Sequence, residues 1–366
     1  MDRFLCPIDS HDVKFAGKRV EFMEKVTMKD IADALNISRV TVSKAFNNQS
    51  GVSDSLRELI FEKARELGYA KLPYQILEQP LEEQRTISLI VSRPDSALFW
   101  TNIIHRMAQE LSNYKVNLLY TYVPSVYTKS FSLPPILQNS SVDGIVVLNV
   151  YDAEILNRIN KLSLPKVFLD TVPTLSDREL NGDLLLIEGF RTESDITNTL
   201  IQNGHTEIGF LGDINYALTN LERYRGYCDC MEKQGIVVRS EYCLTGRIDI
   251  FSYEKELYSF LNQLKRWPTA FVCASDFVAN IVQSFMNNNP ERVPYPVALT
   301  GFDNTGEYAD VAGRIITANV PTGLLGKRLA LQMLYRSEHP ESPHELTFIK
   351  PSIIIPHCST PKNKME

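Results

Sequence analysis

Arg39, Val40, Ser43 and Lys44 form the first spacing along the chain that could do chemistry. In a helix over 39–46 they fall on one side, and Val42, Ala45 and Phe46 fall on the other. The outer face then offers two bases, a hydroxyl and a methyl-rich side chain. No acid occurs between Ala34 and Ser53. A second set lies far downstream. Asp170, Ser275 and Asp303 each stand at or just past the end of an apolar run. If those runs are strands of an α/β sheet, their ends are where ligand groups gather.

The elements that must hold the first set are short. Met28 to Leu35 reads as a helix with Ile31 and Leu35 on one face. Asn36 tolerates the left-handed backbone that a tight turn needs. Ser38 is a good cap for the second helix. Two short helices joined by a tight turn, with a basic outer face on the second, are the helix-turn-helix layout.

From Thr86 the rhythm changes. Apolar runs at 87–91, 116–120, 144–148, 166–169, 184–187, 207–211, 270–274 and 297–302 alternate with stretches of helical periodicity. This predicts parallel sheets covered on both faces. About ten strands exceed one comfortable open sheet, so two lobes are expected. Pro73 to Arg85 is polar and reads as a linker.

Composition excludes several classes. The 366 residues are 44% hydrophobic and 22% charged, which suits a globular chain rather than a disordered one or a fibre. No apolar run is long enough to span a membrane. Residues 1–22 hold no apolar run of the secretory type. Six cysteines without a C-x-x-C pair point to neither a disulfide scaffold nor a structural zinc site. A cytoplasmic protein is expected. The net charge of −6 is unevenly spread: residues 23–72 hold 8 Lys and Arg against 7 Asp and Glu, so the acidity lies downstream. With so small a head charge, non-specific DNA binding should be weak.

The segment Val26-Thr27-Met28-Lys29-Asp30-Ile31-Ala32, followed by Ile37 through Asn48, Val52-Ser53 and Glu66-Leu67-Gly68-Tyr69, resembles the DNA-binding head of the LacI/GalR repressor family over about 45 residues. The resemblance implies that Arg39, Val40 and Lys44 read base edges in the major groove. It implies phosphate contacts for Thr27, Ser38, Thr41, Ser43, Asn47 and Ser53; Ser38 and Ser53 also suit helix caps. Asn36 stands where the family has Gly, and Lys44 where it has Arg. The family's hinge motif is nearly absent from 70–80, leaving Ile76 and Leu77 as minor-groove candidates beside Glu78.

Residues 86–360 resemble the periplasmic-sugar-binding-protein-like core of the same family. The landmarks are Val142-Asp143-Gly144-Ile145-Val146, Pro165 through Asp170, Asn203 through Phe210, Arg223-Tyr224-Arg225-Gly226-Tyr227, Ala274-Ser275-Asp276 and Thr300 through Asn304. The resemblance implies effector contacts for Asp170, Arg223, Ser275 and Asp303, with Leu98, Phe99 and Trp100 offering an aromatic plate. Carboxylates and an arginine around such a plate suit a polyhydroxyl ligand. The family has Asn where Ser275 stands. Asp276 is expected to cap a helix. His205, Cys228 and Cys230 are assigned no chemistry, and the glycine pairs at 209–212 and 323–326 match no phosphate loop.

The fold expected is α/β: two doubly wound parallel-sheet lobes of type I periplasmic-binding-protein-like form, with a small all-α helix-turn-helix domain. The expected divisions are a disordered extension (1–22), the head (23–72), a hinge (73–85), the core (86–360) and a tail (361–366). Within the core, the N-lobe takes about 86–187 and 320–347, and the C-lobe about 188–319 and 348–360. Met23 is a candidate natural start. The reading is a transcriptional regulator, as a repressor: a homodimer that binds double-stranded operator DNA under control of a sugar-like effector. No cofactor, metal or catalysis is expected. A solute-binding protein without DNA work is the alternative, and an α/β enzyme lacks a nucleophile-base pair.

Overall fold

The computed structural model describes residues 26–47, 49–67, 69, 85–92, 98–139, 141–249 and 252–356. They form two compact units, divided in sequence at 83/84. The candidate hinge residues Ile76 and Leu77, the extension 1–22 and the tail 361–366 lie outside the described residues.

The first unit holds α1 (Met28–Ala34), α2 (Arg39–Phe46) and α3 (Asp54–Glu66). The backbone N–H and the hydroxyl of Thr27 both donate to the Asp30 carboxylate at 2.7 Å, closing the start of α1 and holding the Asp30 pKa below its ordinary value. Asn36 takes φ +54, the left-handed conformation that the turn demands. Ser38 then caps α2 by accepting the Thr41 N–H at 3.0 Å. Ile31, Val42 and Ile60 are fully buried between the helices. Phe46 stacks on Phe61 with centroids 5.6 Å apart and leans on Tyr69 at 5.4 Å. Arg57 of α3 donates to the carbonyls of Ala45 (2.9 Å) and Gln49 (3.2 Å), which pins the end of α2.

The second unit contains two sheets. In the first lobe come β1 (Thr86–Val91), α4 (Leu98–Asn113), β2 (Asn117–Tyr122), β3 (Gly144–Leu148), α5 (Ala153–Asn160), β4 (Lys166–Leu169) and β5 (Asp183–Ile187). The chain then builds the second lobe: α6 (Phe190–Gln202), β6 (Ile208–Leu211), α7 (Leu218–Lys233), α8 (Tyr253–Gln263), β7 (Ala270–Cys273), α9 (Asp276–Asn288), β8 (Ala298–Asp303) and β9 (Ile316–Asn319). It returns through α10 (Thr322–Glu338), which packs on α4 and on β3, β4 and β5. It finishes with β10 (Leu346–Ile349) in the first sheet and β11 (Ser352–Ile354) in the second.

The first sheet has the order β10-β5-β4-β3-β1-β2 and is parallel throughout; the second has the order β11-β9-β8-β7-β6. The edge strand β11 runs antiparallel to β9, a departure from the all-parallel expectation. It does so because the two residues after β10 bring the chain to the C-terminal end of β9, where Ser352 pairs with Asn319, so β11 can only run back along it. The expected lobe division at 347/348 falls inside β10, so the crossing is at Lys350-Pro351. Strands β3, β4, β5, β6 and β7 are buried end to end, at roughly 1.5–3 kcal/mol for each large apolar side chain.

Two local devices hold these layers. A Cβ on Gly226 would come within 2.0 Å of the Phe190 carbonyl oxygen, so glycine lets α7 approach the start of α6. Arg336 of α10 and Asp183 of β5 form a buried ion pair at 2.6 Å. Arg336 also donates to the carbonyls of Ser342 and Pro343, and Asp183 accepts from Gln332 and from the Glu345 N–H. This network ties the approach to β10 onto β5.

Candidate functional site

On the head, α2 separates its faces as its spacing dictates. Arg39 and Asn47 are exposed, Val40 is 63% exposed, and Ser43 and Lys44 are half-buried on the same side. Val42, Ala45 and Phe46 are buried beneath them. The phosphate candidates differ in what they already hold. Ser38 shares a 2.8 Å hydrogen bond with Thr41, and Asn47 donates to the Ser43 carbonyl at 2.9 Å. Ser53 accepts the Leu56 N–H at 3.4 Å at the start of α3. The Thr27 hydroxyl already donates its hydrogen bond to Asp30, whose negative charge opposes a phosphate there.

In the core, the C-terminal ends of the strands of both lobes face a cavity of about 470 Å³. Leu169, Ile187, Ala274 and Asp303 bring β4, β5, β7 and β8 to its wall. Phe99 and Trp100 arrive on the first turn of α4 as an edge-to-face pair 5.0 Å apart. Leu98 differs from expectation. Its side chain is 48% exposed and outside the cavity lining, because the first residue of α4 points away from the cleft. Its backbone N–H instead donates to Glu307 Oε2 at 2.9 Å.

Asp170 sits just past β4 at φ +67, buried. Its carboxylate accepts from the Thr171 N–H (2.8 Å), the Thr219 N–H (3.3 Å) and the Thr219 hydroxyl (2.5 Å), and Tyr151 donates at 3.4 Å. Burial pushes its pKa up, and the bonds from Thr219 and Thr171 and the charge of Arg223 pull it down. Thr219 belongs to the second lobe, so Asp170 is a strut across the cleft as much as a cavity wall. Three further contacts cross beside it. Tyr216 donates to Asn149 Oδ1 at 3.2 Å, its ring lies 4.3 Å from that of Tyr151, and the Leu218 N–H donates to the Thr171 carbonyl at 2.7 Å.

Arg223 is buried on α7 with its guanidinium 3.6 Å over the Phe302 ring. It donates to the Ala274 carbonyl, and its Nε has no partner. Ser275 lines the cavity, yet its hydroxyl caps α9 by accepting the Val278 N–H at 3.3 Å. Ser275, not Asp276, is therefore the helix cap. Asp276 reaches back to the Thr305 N–H (2.9 Å) and the Thr317 hydroxyl (2.6 Å), bracing the turn after β8. Asp303 closes β8 at φ +106 and lines the cavity. Burial pushes its pKa up to about 7 although Arg223 opposes the shift.

Sequence reasoning missed several residues here. Tyr151 and Asn149 follow β3 directly, so the strand-end argument that found Asp170 would also have found them. Glu307 lies four residues past Asp303, on the same turn. Glu193 had no signal, since an acid on an amphipathic helix reads as solvated. It is fully buried, neither carboxylate oxygen has a partner, and burial lifts its pKa to about 8 against the pull of Arg223. His205 is half-buried and hydrogen-bonded to Thr269 at 3.0 Å, a packing role. Among the described residues, no group of three or more His, Cys, Asp or Glu is placed to hold a metal, and no helix is long and apolar enough to cross a membrane.

Two family signatures match this geometry in chain order. Residues 27–71 match "Bacterial regulatory proteins, lacI family", and residues 197–359 match "Periplasmic binding protein-like domain". The chain belongs to the LacI family of regulatory proteins. It is a DNA-binding transcriptional regulator, not an enzyme. The HTH-type transcriptional regulator RegA of Clostridium saccharobutylicum is 28% identical over 321 residues, covering 85% of this chain and 93% of that protein. Two solved structures share the fold. A complex of the transcriptional regulator CelR with cellobiose has a TM-score of 0.63 at 20% identity, covering 90% of this chain and 98% of that one. The Lac repressor dimer bound to operator and an anti-inducer has a TM-score of 0.64 at 19% identity, covering 91% and 98%. Within the LacI family frame, the helix-turn-helix match spans α1 to α3 and the core match runs from α6 to the end of β11.

Proposed function

We propose that the chain is a cytoplasmic repressor that binds a pseudo-palindromic operator as a homodimer, and that a sugar or sugar derivative between the lobes sets its operator affinity. In this reading residues 23–72 are the head, 73–85 the hinge and 86–360 the core. Arg39 and Lys44 donate to guanine O6 and N7, and Val40 packs on a thymine methyl. Ser38, Thr41, Ser43, Asn47 and Ser53 hold phosphates and set register. Thr27 contributes least, because its hydroxyl is committed to Asp30. Arg223 and Asp303 contact the effector, with Phe99 and Trp100 against its apolar face. Asp170 and Ser275 shape the wall while serving Thr219 and α9. The cellobiose held by CelR and the operator-bound Lac repressor dimer support the ligand class and the assembly by similarity.

One observation carries the reading. The same chain presents an acid-free basic helix face and a ligand-sized cavity crossed by lobe-to-lobe hydrogen bonds. A ligand that fits one lobe arrangement better than another shifts their balance, and DNA affinity follows by linkage. The test is an electrophoretic mobility shift on the gene's own upstream DNA at stated salt. Retardation that a sugar changes is expected. A folded dimer that retards no such DNA, with or without sugars, would end the proposal.

A further inference from the structure

The charge of the cavity is unbalanced. Among the described lining residues Asp170, Asp213, Asp303 and Glu307 are acids, and Arg223 is the only base. The protein itself satisfies two of the acids. Asp170 has the four donors given above, and Asp213 accepts the N–H groups of Asn215 (2.8 Å) and Ile248 (2.9 Å). The other two are left short. No described residue donates to the Asp303 carboxylate. Glu307 accepts the Leu98 N–H on Oε2, but its Oε1 is buried without a partner. The Thr305 hydroxyl, on the same turn, is also buried without one.

Arg223 only partly neutralises this corner. Its guanidinium donates to the Ala274 carbonyl and lies over the Phe302 ring, it forms no ion pair among the described residues, and its single charge faces four acids. Asp303 and Glu307 repel each other, which helps to lift the Asp303 pKa. Aromatic rings stand on both sides of the cavity: Phe277 and Tyr308 with centroids 6.0 Å apart, and the pair Phe99 and Trp100. Burying a carboxylate oxygen without a donor, as at Glu307 Oε1, is costly, and the Asp303 charge that opens onto the cavity beside it adds to the cost. A neutral hydroxyl would bring donors without charge. An anion would add to the repulsion. A cation with several N–H donors answers both needs, and aromatic faces attract it further.

We propose that the effector is a protonated amine on a polyhydroxyl frame, an amino-sugar-type molecule, whose ammonium is held between Asp303 and Glu307 with Thr305 as a further acceptor. This rests on the reading that a sugar-like ligand fills the cavity. It adds the charge of that ligand and the corner that reads it.

The experiment is calorimetric titration of the full-length chain with matched probes. These are glucosamine, galactosamine, mannosamine and the β-1,4-linked glucosamine disaccharide, each beside its neutral parent sugar, with the hexose 6-phosphates and adenine and hypoxanthine in parallel. At least one amine should bind about tenfold or more tightly than its parent, with no binding of the phosphates. Asp303→Asn and Glu307→Gln should each remove most of that preference, weakening the amine several-fold more than they weaken the neutral parent. The preference in the unmutated chain tests the proposal even where a variant misfolds. Parents binding as well as the amines would overturn the amine and leave the sugar reading standing. Binding of a nucleobase with no sugar or amino sugar bound would overturn both, as would the absence of binding by every probe.

Discussion

Glu193→Gln is expected to stabilise the core, by an amount that grows as pH rises from 5 to 8. Glu193 is fully buried on α6, both its oxygens lack partners, and its pKa sits at about 8 rather than at the ordinary 4.5. The unfolded chain ionises this carboxyl near its ordinary value, so across the window between the two values the folded chain holds one proton more. The stability carried by the protonated form is complete below the unfolded pKa and is lost as pH rises through the folded one. The slope is about 1.4 kcal/mol per pH unit, and the whole window is worth about 5 kcal/mol.

Glutamine keeps the shape and removes the charge. Its amide would also be unpartnered, a cost that does not vary with pH. The stability of the variant minus that of the natural chain should therefore climb by about 4 kcal/mol between pH 5 and 8, whatever its starting value. Urea unfolding followed by tryptophan fluorescence measures this, with Trp267 buried in the same lobe as a local reporter. Asp303, raised to about 7, and Lys166, lowered to about 8 by burial, titrate in both proteins and cancel in the difference. A difference that stays flat from pH 5 to 8 would mean that Glu193 is ionised in the fold, and the argument from its burial would be wrong.

Three further outcomes are expected. Arg39→Ala should lose about 1–3 kcal/mol of specific operator binding in a mobility shift while leaving effector binding intact; loss of both together would mean the head was misassigned. Thr219→Val removes a donor from the buried Asp170 carboxylate and should cost about 1–3 kcal/mol of core stability by calorimetry, and an unchanged melting temperature would show that the strut carries nothing. Arg336→Met alone should cost about 3–5 kcal/mol by leaving Asp183 charged and unpaired, whereas Arg336→Met with Asp183→Leu should cost less than the single change. A double variant as unstable as the single one would refute the ion-pair account.

What was legible in the sequence divides along physical lines. Local order was readable wherever one residue type has one dominant use. Asn36 predicted a left-handed turn and takes φ +54, and Ser38 predicted a cap and accepts the Thr41 N–H. Apolar runs gave β1 to β8 within a residue or two, because most of these strands are buried on both faces, the largely exposed edge strand β2 being the exception. The four-residue interior strand β9 escaped although it is buried, and so did the short edge strands β10 and β11, where alternate residues face out and Pro351 interrupts the pattern. The antiparallel sense of β11 escaped for a different reason, since it depends on the end at which the chain enters the second sheet and not on periodicity.

Which candidate residues line the cavity was legible for all but Leu98, whereas their bonding was not. Position at a strand end marked Asp170, Ser275 and Asp303 as equals, and the fold treats them differently. Asp170 is taken by Thr219 from the opposite lobe, Ser275 by the first turn of α9, and Asp303 by nothing among the described residues. Those partners sit 49 residues away, three residues away and nowhere, and no one-dimensional pattern distinguishes the cases. The distinction matters for function. A residue whose hydrogen bonds the protein already fills sets the geometry of the two lobes, and one left short of donors sets which ligand rewards closing them. On the proposed effector reading, Asp170 and Thr219 therefore belong to the equilibrium between lobe arrangements, and Asp303 and Glu307 to its chemical selectivity. Changing the first pair should alter the response to every effector alike, whereas changing the second should alter which effector is answered.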